Sequence, residues 1–147
     1  MERLKIKHGQ IIKALDSLEK SITNFKNFDS YPKNLDFIDQ EEFYRTLRDS
    51  MIQRFEFSVD LFWKYIKIYL KEKINHSVKI IGAKHVIRDA CNAKLISEKD
   101  TETILKMIDD RNMSSHIYKE EIADQIGSRI GDYYEVIKTH VDKLTPQ

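Results

Sequence analysis

One short stretch of the sequence concentrates side chains that could carry out chemistry, the eight residues RNMSSHIY at 111–118. Arg111 could bind a phosphate through two parallel hydrogen bonds and stabilise negative charge developing on it. Histidine ordinarily changes charge near neutral pH, so His116 could take a proton from a ribose 2′-hydroxyl and return one to a leaving oxygen. Asn112 and Ser115 could orient phosphate oxygens. These side chains suffice for metal-independent RNA cleavage through a 2′,3′-cyclic phosphate. The other interpretation is a capped, hydrogen-bonded helix end.

Spacing along a single helix does not bring the arginine and the histidine of this stretch together. Arg111 and His116 are five residues apart, which separates two side chains on a continuous helix by about 140–150° around its axis. Either the helix breaks at Ser114 and Ser115, where hydroxyl groups compete for backbone hydrogen bonds, or the partner groups come from a second chain. A symmetric dimer with two copies of the stretch about a two-fold axis would satisfy the second possibility.

The rest of the sequence predicts the helices that must position this stretch. Apolar residues recur at spacings of three and four, which is typical of amphipathic helices, and no segment shows the pattern of a strand. Loops are predicted at about 27–39, around Pro32, and at 75–82. The predicted helices cover about 2–28, 40–73, 83–95, 97 up to the RNMSSHIY stretch, and 119–144. Ser97 is the predicted N-cap of the fourth helix, with Asp100 three residues beyond it. We therefore expect an all-α, up-and-down bundle with a four-helix core, in one domain spanning residues 1–147.

The second predicted helix is the longest, and its middle is apolar over most of its circumference, as expected of a central helix. One polar line remains on it, formed by Gln53, Glu56, Asp60 and Lys64. This line is either a solvated face or the border of a site or subunit contact. Asp60 and Lys64 are therefore supporting candidates for the site.

Other notable side chains have structural interpretations. His8 fills an apolar position of the first helix, which predicts a histidine at the edge of the core. Cys91 has small apolar neighbours, which predicts a buried, inert thiol. Gly127 and Gly131 are four residues apart, which predicts the close approach of another helix.

The composition argues against several classes of protein. The chain has 25 basic and 24 acidic residues and a formal net charge of +1, which does not favour binding to long nucleic acid by bulk charge, and we expect no DNA partner. Its single cysteine cannot form an internal disulfide. The charged N-terminus is not a signal peptide, and no membrane-spanning run is present, so we expect a cytoplasmic protein without membrane contact. No phosphate-binding loop, dinucleotide turn or metal motif occurs, so we expect no metal and no cofactor.

Three segments carry a resemblance to a known family. RNMSSHIY resembles the R-x4-H-x-Y motif of the HepT-like branch of the HEPN superfamily, also described as nucleotidyltransferase substrate-binding proteins. RFEFSVDLFWKYIKIYL resembles the second long helix of that family, and VIRDACNAKLIS resembles its following short helix. The resemblance extends over nearly the whole chain. It implies a homodimeric helical bundle that pairs with a minimal nucleotidyltransferase antitoxin in a type VII-like toxin–antitoxin system.

The resemblance also implies roles for individual residues. Arg111 and His116 would be catalytic in a metal-independent endoribonuclease acting on RNA, supported by Asn112, and Tyr118 would accept AMP from the partner. An adenylyl group on Tyr118 would block RNA by its bulk and negative charge. The alternative is a non-catalytic subunit that binds the nucleotidyltransferase and presents its substrate or Tyr118. A purely structural dimerising bundle is the third possibility.

Overall fold

The computed structural model describes residues 2–33, 36–75 and 82–147. Within these ranges the chain forms helices and turns without any strand, which confirms the predicted all-α bundle of five helices. The predicted loop at 75–82 lies mostly outside the described residues. The helices are α1 (Glu2–Lys26), α2 (Gln40–Lys73), α3 (Ala83–Asn92), α4 (Glu98–Met113) and α5 (Glu120–Lys143), with 3₁₀ turns at Phe28–Ser30 and Ser114–His116.

Side-chain caps begin two of the helices. The Asp39 carboxylate accepts a hydrogen bond from the backbone N–H of Glu42 at the start of α2. Ser97 accepts one from the N–H of Asp100 at the start of α4, as the sequence predicts. Each cap satisfies a backbone donor that has no partner within its helix.

Two helices end earlier than the sequence predicts. The prediction extends the first helix to residue 28, but α1 ends at Lys26, and the 3₁₀ turn at Phe28–Ser30 follows. The prediction extends the third helix to residue 95, but α3 ends at Asn92, because Lys94 adopts a left-handed backbone conformation with φ of 64°. The backbone N–H groups of Lys94 and Leu95 then fold back onto carbonyls of Cys91 and Ala90. This pattern is the Schellman motif, which ends a helix.

Consecutive long helices run in opposite directions, as an up-and-down bundle requires. Arg3 at the start of α1 lies 3.5 Å from the carboxylate of Glu72 at the end of α2. At the other end of the same pair, the rings of Phe25 and Tyr44 are in contact. The helices α4 and α5 are likewise antiparallel, since the start of α4 contacts the end of α5 and the end of α4 contacts its middle.

Helix α2 occupies the centre of the bundle and contacts all four other helices. Its side chains Phe55, Phe62 and Tyr65 are fully buried, which confirms its predicted central position. The buried core further contains residues from every other helix, among them Leu4, Ile11, Leu15, Leu18, Val86, Ile87, Ala90, Ile104, Met107, Ala123, Ile126, Ile130, Ile137 and Val141.

Three structural predictions for single residues have different outcomes. The ring of His8 lies at the core edge with Nε2 3.1 Å from the carbonyl oxygen of Val141, as expected. Cys91 is only half-buried, because it lies in the last turn of α3 at the rim of the bundle, so its predicted full burial is wrong. A methyl group added at Gly127 or Gly131 would meet neighbouring atoms at 3.6–3.7 Å, an ordinary contact, so the predicted glycine-dependent close approach is wrong.

No helix in the described ranges is long and apolar enough to span a membrane.

Candidate functional site

The helix carrying Arg111 ends inside the RNMSSHIY stretch. Helix α4 stops at Met113, and residues 114–116 form a 3₁₀ turn. The buried hydroxyl of Ser114 donates to the carbonyl oxygen of Arg111 over 2.6 Å, and that of Ser115 donates to the carbonyl of Asn112 over 3.4 Å. Of the two alternatives left open by the sequence, the helix does break at the two serines, and both hydroxyls bond to the backbone of the preceding turn.

Arg111 is bound by two carboxylates of α2. Its Nε and Nη2 donate to the two oxygens of Asp60 over 3.1 and 3.0 Å, and its Nη1 donates to Glu56 over 2.9 Å. The hydrogen bonds to Asp60 raise the pKa of the Arg111 guanidinium above its ordinary value. Two members of the polar line on α2, Asp60 and Glu56, thus lie against Arg111. Glu56 was not among the predicted site residues, although its spacing of four from Asp60 was a usable signal.

Two carboxylates face the single guanidinium of Arg111, and they affect how this arginine can bind a phosphate. All three guanidinium nitrogens of Arg111 already donate to Asp60 or Glu56. A phosphate would therefore meet the remaining N–H groups beside two negative charges. Lys64, the other supporting candidate on α2, lies with its ammonium over the ring of Trp63 at 5.7 Å. It is exposed and is not brought into the Arg111 cluster.

His116 and Tyr118 form a second, exposed pair beyond the break. The Nδ1 atom of His116 lies 3.4 Å from the hydroxyl oxygen of Tyr118. Tyr118 is 72% exposed, and the ammonium of Lys119 lies 6.0 Å from its ring centroid. Among the described residues, no hydrogen bond joins Arg111 to His116. The break alone therefore does not bring the two predicted catalytic side chains of one chain into contact.

The other predicted supporting residues face an open groove. Asn112 and Ser115 line it together with Arg111, and the groove encloses about 710 Å³ between α2, α3 and α4. The same groove is lined by Asp60 and Trp63 of α2 and by Lys84, His85 and Arg88 of α3. Arg88 is exposed, whereas Lys84 is paired with Asp109. The groove combines an aromatic ring, amide and hydroxyl groups, and cations, which are the groups that nucleotides bind.

Helix α5 also holds the residue that precedes the stretch, Asp110. Arg129 donates to both oxygens of the Asp110 carboxylate over 2.7 and 2.9 Å, and the Tyr133 hydroxyl donates to Oδ2 over 2.6 Å. Burial, together with this hydrogen bond, raises the pKa of the Tyr133 phenol. The sequence-based search missed this cluster, since Asp110 adjoins Arg111 but its two partners lie 19 and 23 residues further along the chain.

A buried arginine holds the start of α5, which follows Tyr118 and Lys119. Arg48 on α2 is only 1% exposed, and its Nη1 donates to Glu120 over 2.7 Å and to Asp124 over 2.9 Å. The hydrogen bonds from Arg48 lower the pKa of the Glu120 carboxyl. Both ends of the RNMSSHIY stretch are therefore tied to the bundle by ion pairs. No three His, Cys, Asp or Glu side chains in the described ranges converge as a metal site would require.

Comparison with known proteins places the chain among helical proteins linked to nucleotidyltransferases. The family described as "Nucleotidyltransferase substrate binding protein like" matches residues 7–146. No curated protein matches the chain.

Solved structures share the fold. A Haemophilus influenzae protein, described as having the fold of a substrate-binding domain of a nucleotidyltransferase, is 25% identical, with a TM-score of 0.76, over 93% of this chain and 98% of that one. A Thermus thermophilus protein is 29% identical, with a TM-score of 0.64, over 86% and 98% of the two chains. A structure described as a toxin–antitoxin with AMP-PNP is 16% identical, with a TM-score of 0.64, over 92% and 97%.

Proposed function

The chain belongs to the family of nucleotidyltransferase substrate-binding-like proteins, and on that premise we propose that it is the HEPN toxin of a toxin–antitoxin pair. In this proposal it is a metal-independent endoribonuclease that acts in the cytoplasm, and a minimal nucleotidyltransferase antitoxin neutralises it. The observation that carries the proposal is the pairing of an exposed His116 and Tyr118 directly beyond a firmly held Arg111. The fold shared with a toxin–antitoxin structure agrees with it.

The proposed reaction is cleavage of RNA by its own 2′-hydroxyl group. His116 takes the proton of the 2′-hydroxyl, whose oxygen attacks the adjacent phosphorus, and the bond from phosphorus to the 5′-oxygen breaks. The products are a 2′,3′-cyclic phosphate and a 5′-hydroxyl, whose oxygen receives the proton back from His116. Arg111 stabilises the charge that develops on the phosphate, and Asn112 and Ser115 orient its oxygens from the wall of the groove.

A homodimer would complete this site, since Arg111 and His116 of one chain are not bonded to each other. The α2 surface beside the Arg111 carboxylates is suited to such a contact. Phe57 is 61% exposed there and lines an apolar groove between α1 and α2 together with Ala14 and Leu61. An exposed apolar surface of this kind could pack against its own copy across a two-fold axis.

Tyr118 is the proposed acceptor of AMP. Its hydroxyl is accessible, since the side chain is 72% exposed. In the transfer, the phenolic oxygen bonds to the α-phosphorus of ATP, the bond to the β-phosphate oxygen breaks, pyrophosphate leaves, and the phenolic proton passes to a base or to water. The adenylyl group would then lie beside His116, within reach of the same ring that contacts the hydroxyl at 3.4 Å. Its bulk and charge would exclude an RNA phosphate.

The ribonuclease proposal is tested with the purified chain and RNA in the presence of a metal chelator. We expect cleavage that leaves a cyclic phosphate and that falls at least about a hundredfold in His116→Ala, because the proton acceptor is lost. Lys106→Ala, an exposed position of α4, is the control and should cleave normally. Full activity of His116→Ala, with its fold and oligomeric state intact, would contradict the proposal.

A non-catalytic subunit is the second candidate, and the pairing of Arg111 with the two carboxylates of Asp60 and Glu56 favours it. In that case the chain binds a nucleotidyltransferase and presents a substrate or Tyr118 to it. Co-expression with a neighbouring nucleotidyltransferase gene separates the two candidates. Stable co-purification without any cleavage by the free chain would support the subunit. A mass gain of one or more AMP units that is lost in Tyr118→Phe would identify the acceptor under either candidate.

A further inference from the structure

Asp110, the residue before Arg111, is a buried carboxylate that the proposed reaction does not use. It is 8% exposed, and both of its oxygens accept hydrogen bonds from α5, from Arg129 and Tyr133. Consecutive residues of a helix project about 100° apart around the axis. Asp110 therefore binds α5 while Arg111 binds α2. The last turn of α4 is held from two sides by charged groups with fixed geometry.

This cluster is not needed merely to hold α4 against α5. The apolar side chains Met107, Ile108 and Ile130 belong to the buried core and already pack these helices. Asp110 is buried and Arg129 is partly exposed. Taking these charges out of water offsets much of their attraction, so the ion pair is a weak source of net stability. The ion pair instead fixes the orientation of α4. A bidentate fork with a third hydrogen bond allows one rotation of α4 about its axis, whereas apolar contacts tolerate several.

We infer that Asp110, Arg129 and Tyr133 form a positioning cluster that sets the rotation of the last turn of α4. The cluster thereby aims Arg111 at α2 and starts the 3₁₀ turn that carries Ser114 and His116. This inference rests on the proposed function, since aiming Arg111 matters for catalysis only if Arg111 acts on a phosphate. Asp110 itself touches neither Arg111 nor the groove residues through a hydrogen bond in the described part of the chain. It is a positioning residue and not a catalytic one.

The chain offers a matched control for testing this cluster. Tyr133 and Tyr134 are adjacent on α5, are both buried, and each donates one hydrogen bond to a carboxylate. The Tyr133 hydroxyl reaches Asp110 on α4 over 2.6 Å, whereas the Tyr134 hydroxyl reaches Glu19 on α1 over 2.7 Å. Tyr133→Phe and Tyr134→Phe therefore each remove one hydrogen bond from a buried tyrosine of α5 to a carboxylate, and the bond is buried for Tyr133 and part-buried for Tyr134. Only the first removes it from the cluster beside Arg111.

Two measurements compare the variants. Hydrogen exchange followed by mass spectrometry reports local opening of residues 112–118, and we expect at least about fivefold faster exchange there in Tyr133→Phe than in Tyr134→Phe. Steady-state RNA cleavage should show kcat lowered about tenfold in Tyr133→Phe with KM nearly unchanged. The reason is that wrongly oriented side chains slow the chemical step more than they weaken the binding of RNA. Both variants should lose thermal stability, and Tyr133→Phe the more, because its hydrogen bond is the more buried of the two. Arg129→Lys, which keeps the charge but not the fork, should behave like Tyr133→Phe.

The outcomes separate this inference from the proposed function. If the wild-type chain does not cleave RNA, the ribonuclease proposal fails, while the exchange comparison still tests the positioning of the turn. If Tyr133→Phe and Tyr134→Phe show equal exchange over residues 112–118, the positioning inference is wrong, whatever the activity of the chain. If exchange differs but kcat does not, the cluster orders the turn without a role in catalysis, and the inference is overturned for catalysis.

Discussion

The chemistry proposed for Arg111 depends on the carboxylates that pair with its guanidinium group. Two carboxylates, Asp60 and Glu56, take up all three guanidinium nitrogens. Such pairing fixes the side chain in one orientation, which is what a phosphate-binding group needs, but it also lowers the attraction for an anion. His116 has the opposite character, because it is exposed and its ring contacts only the neighbouring phenol in the described hydrogen bonds. The residue pair therefore combines a fixed group with an accessible one.

Replacement of Asp60 tests whether this pairing orders Arg111. Asp60→Asn keeps the shape of the side chain but removes the charge and one of the two acceptor oxygens. We expect the free energy of unfolding to fall by about 1 kcal/mol, a value discounted because both side chains are partly exposed. Lys64→Gln, one turn further along α2 and outside the cluster, should change it by less than about 0.5 kcal/mol. Urea unfolding measures both, and equal stability of the two variants would show that the pairing does not order Arg111.

At the level of the elements, helix ends determine where the site lies. Helix α4 ends because Ser114 and Ser115 bond to the preceding carbonyls, which places His116 and Tyr118 beyond the helix. Helix α3 ends in a Schellman motif at Lys94, and the chain then leads to the Ser97 cap of α4. A lysine at the left-handed position of this motif is unfavourable, because its Cβ crowds the backbone there.

Glycine at position 94 should therefore stabilise the protein. Lys94→Gly removes the left-handed strain, φ of 64°, at an exposed side chain. We expect a gain of up to about 1 kcal/mol in the free energy of unfolding. The same replacement at Lys106, an exposed interior position of α4, should cost about 1 kcal/mol. Chemical denaturation of both variants provides the measurement, and the prediction is wrong if Lys94→Gly destabilises the chain as Lys106→Gly does.

At the level of the whole molecule, α2 and α5 both carry tyrosines whose hydroxyl groups lie inside the bundle. Three of the seven tyrosines, Tyr65, Tyr133 and Tyr134, are buried in the core with hydroxyls bonded to protein acceptors. Burial is the main cause that raises the pKa of each of these three phenols. The folded bundle therefore binds their protons more tightly than the unfolded chain does.

This difference predicts alkaline unfolding. A pKa raised by folding contributes stability below the unfolded value, about pH 10 for tyrosine, and loses it as pH rises toward the folded value. Each of the three phenols can remove at most about 1.4 kcal/mol per pH unit above about pH 10. Urea unfolding at a series of pH values between about 8 and 11 should show this fall. Tyr65→Phe should show a shallower fall, and constant stability over this range would contradict the assignment.

What the sequence by itself determined is local. Periodic apolar residues predicted the five helices, the serines gave a break in the RNMSSHIY stretch as one of two alternatives, and Ser97 predicted a cap, because each of these depends on neighbours within a turn or two. The ends of α1 and α3 were missed by two or three residues. The left-handed residue of α3 is a lysine and not the usual glycine, so the sequence carried no signal for it.

What only the tertiary structure decided is which charged groups meet across helices. Periodicity shows that Glu56 and Asp60 share a face, but not that this face meets Arg111, which lies 51 residues beyond Asp60. Periodicity also does not show that Asp110 faces α5 while the next residue, Arg111, faces α2. The rotation and order of packed helices decide such pairings, and these depend on contacts distant in sequence. The sequence therefore shows the types and the spacing of the chemical groups. The fold determines which groups become partners, and with that their chemistry.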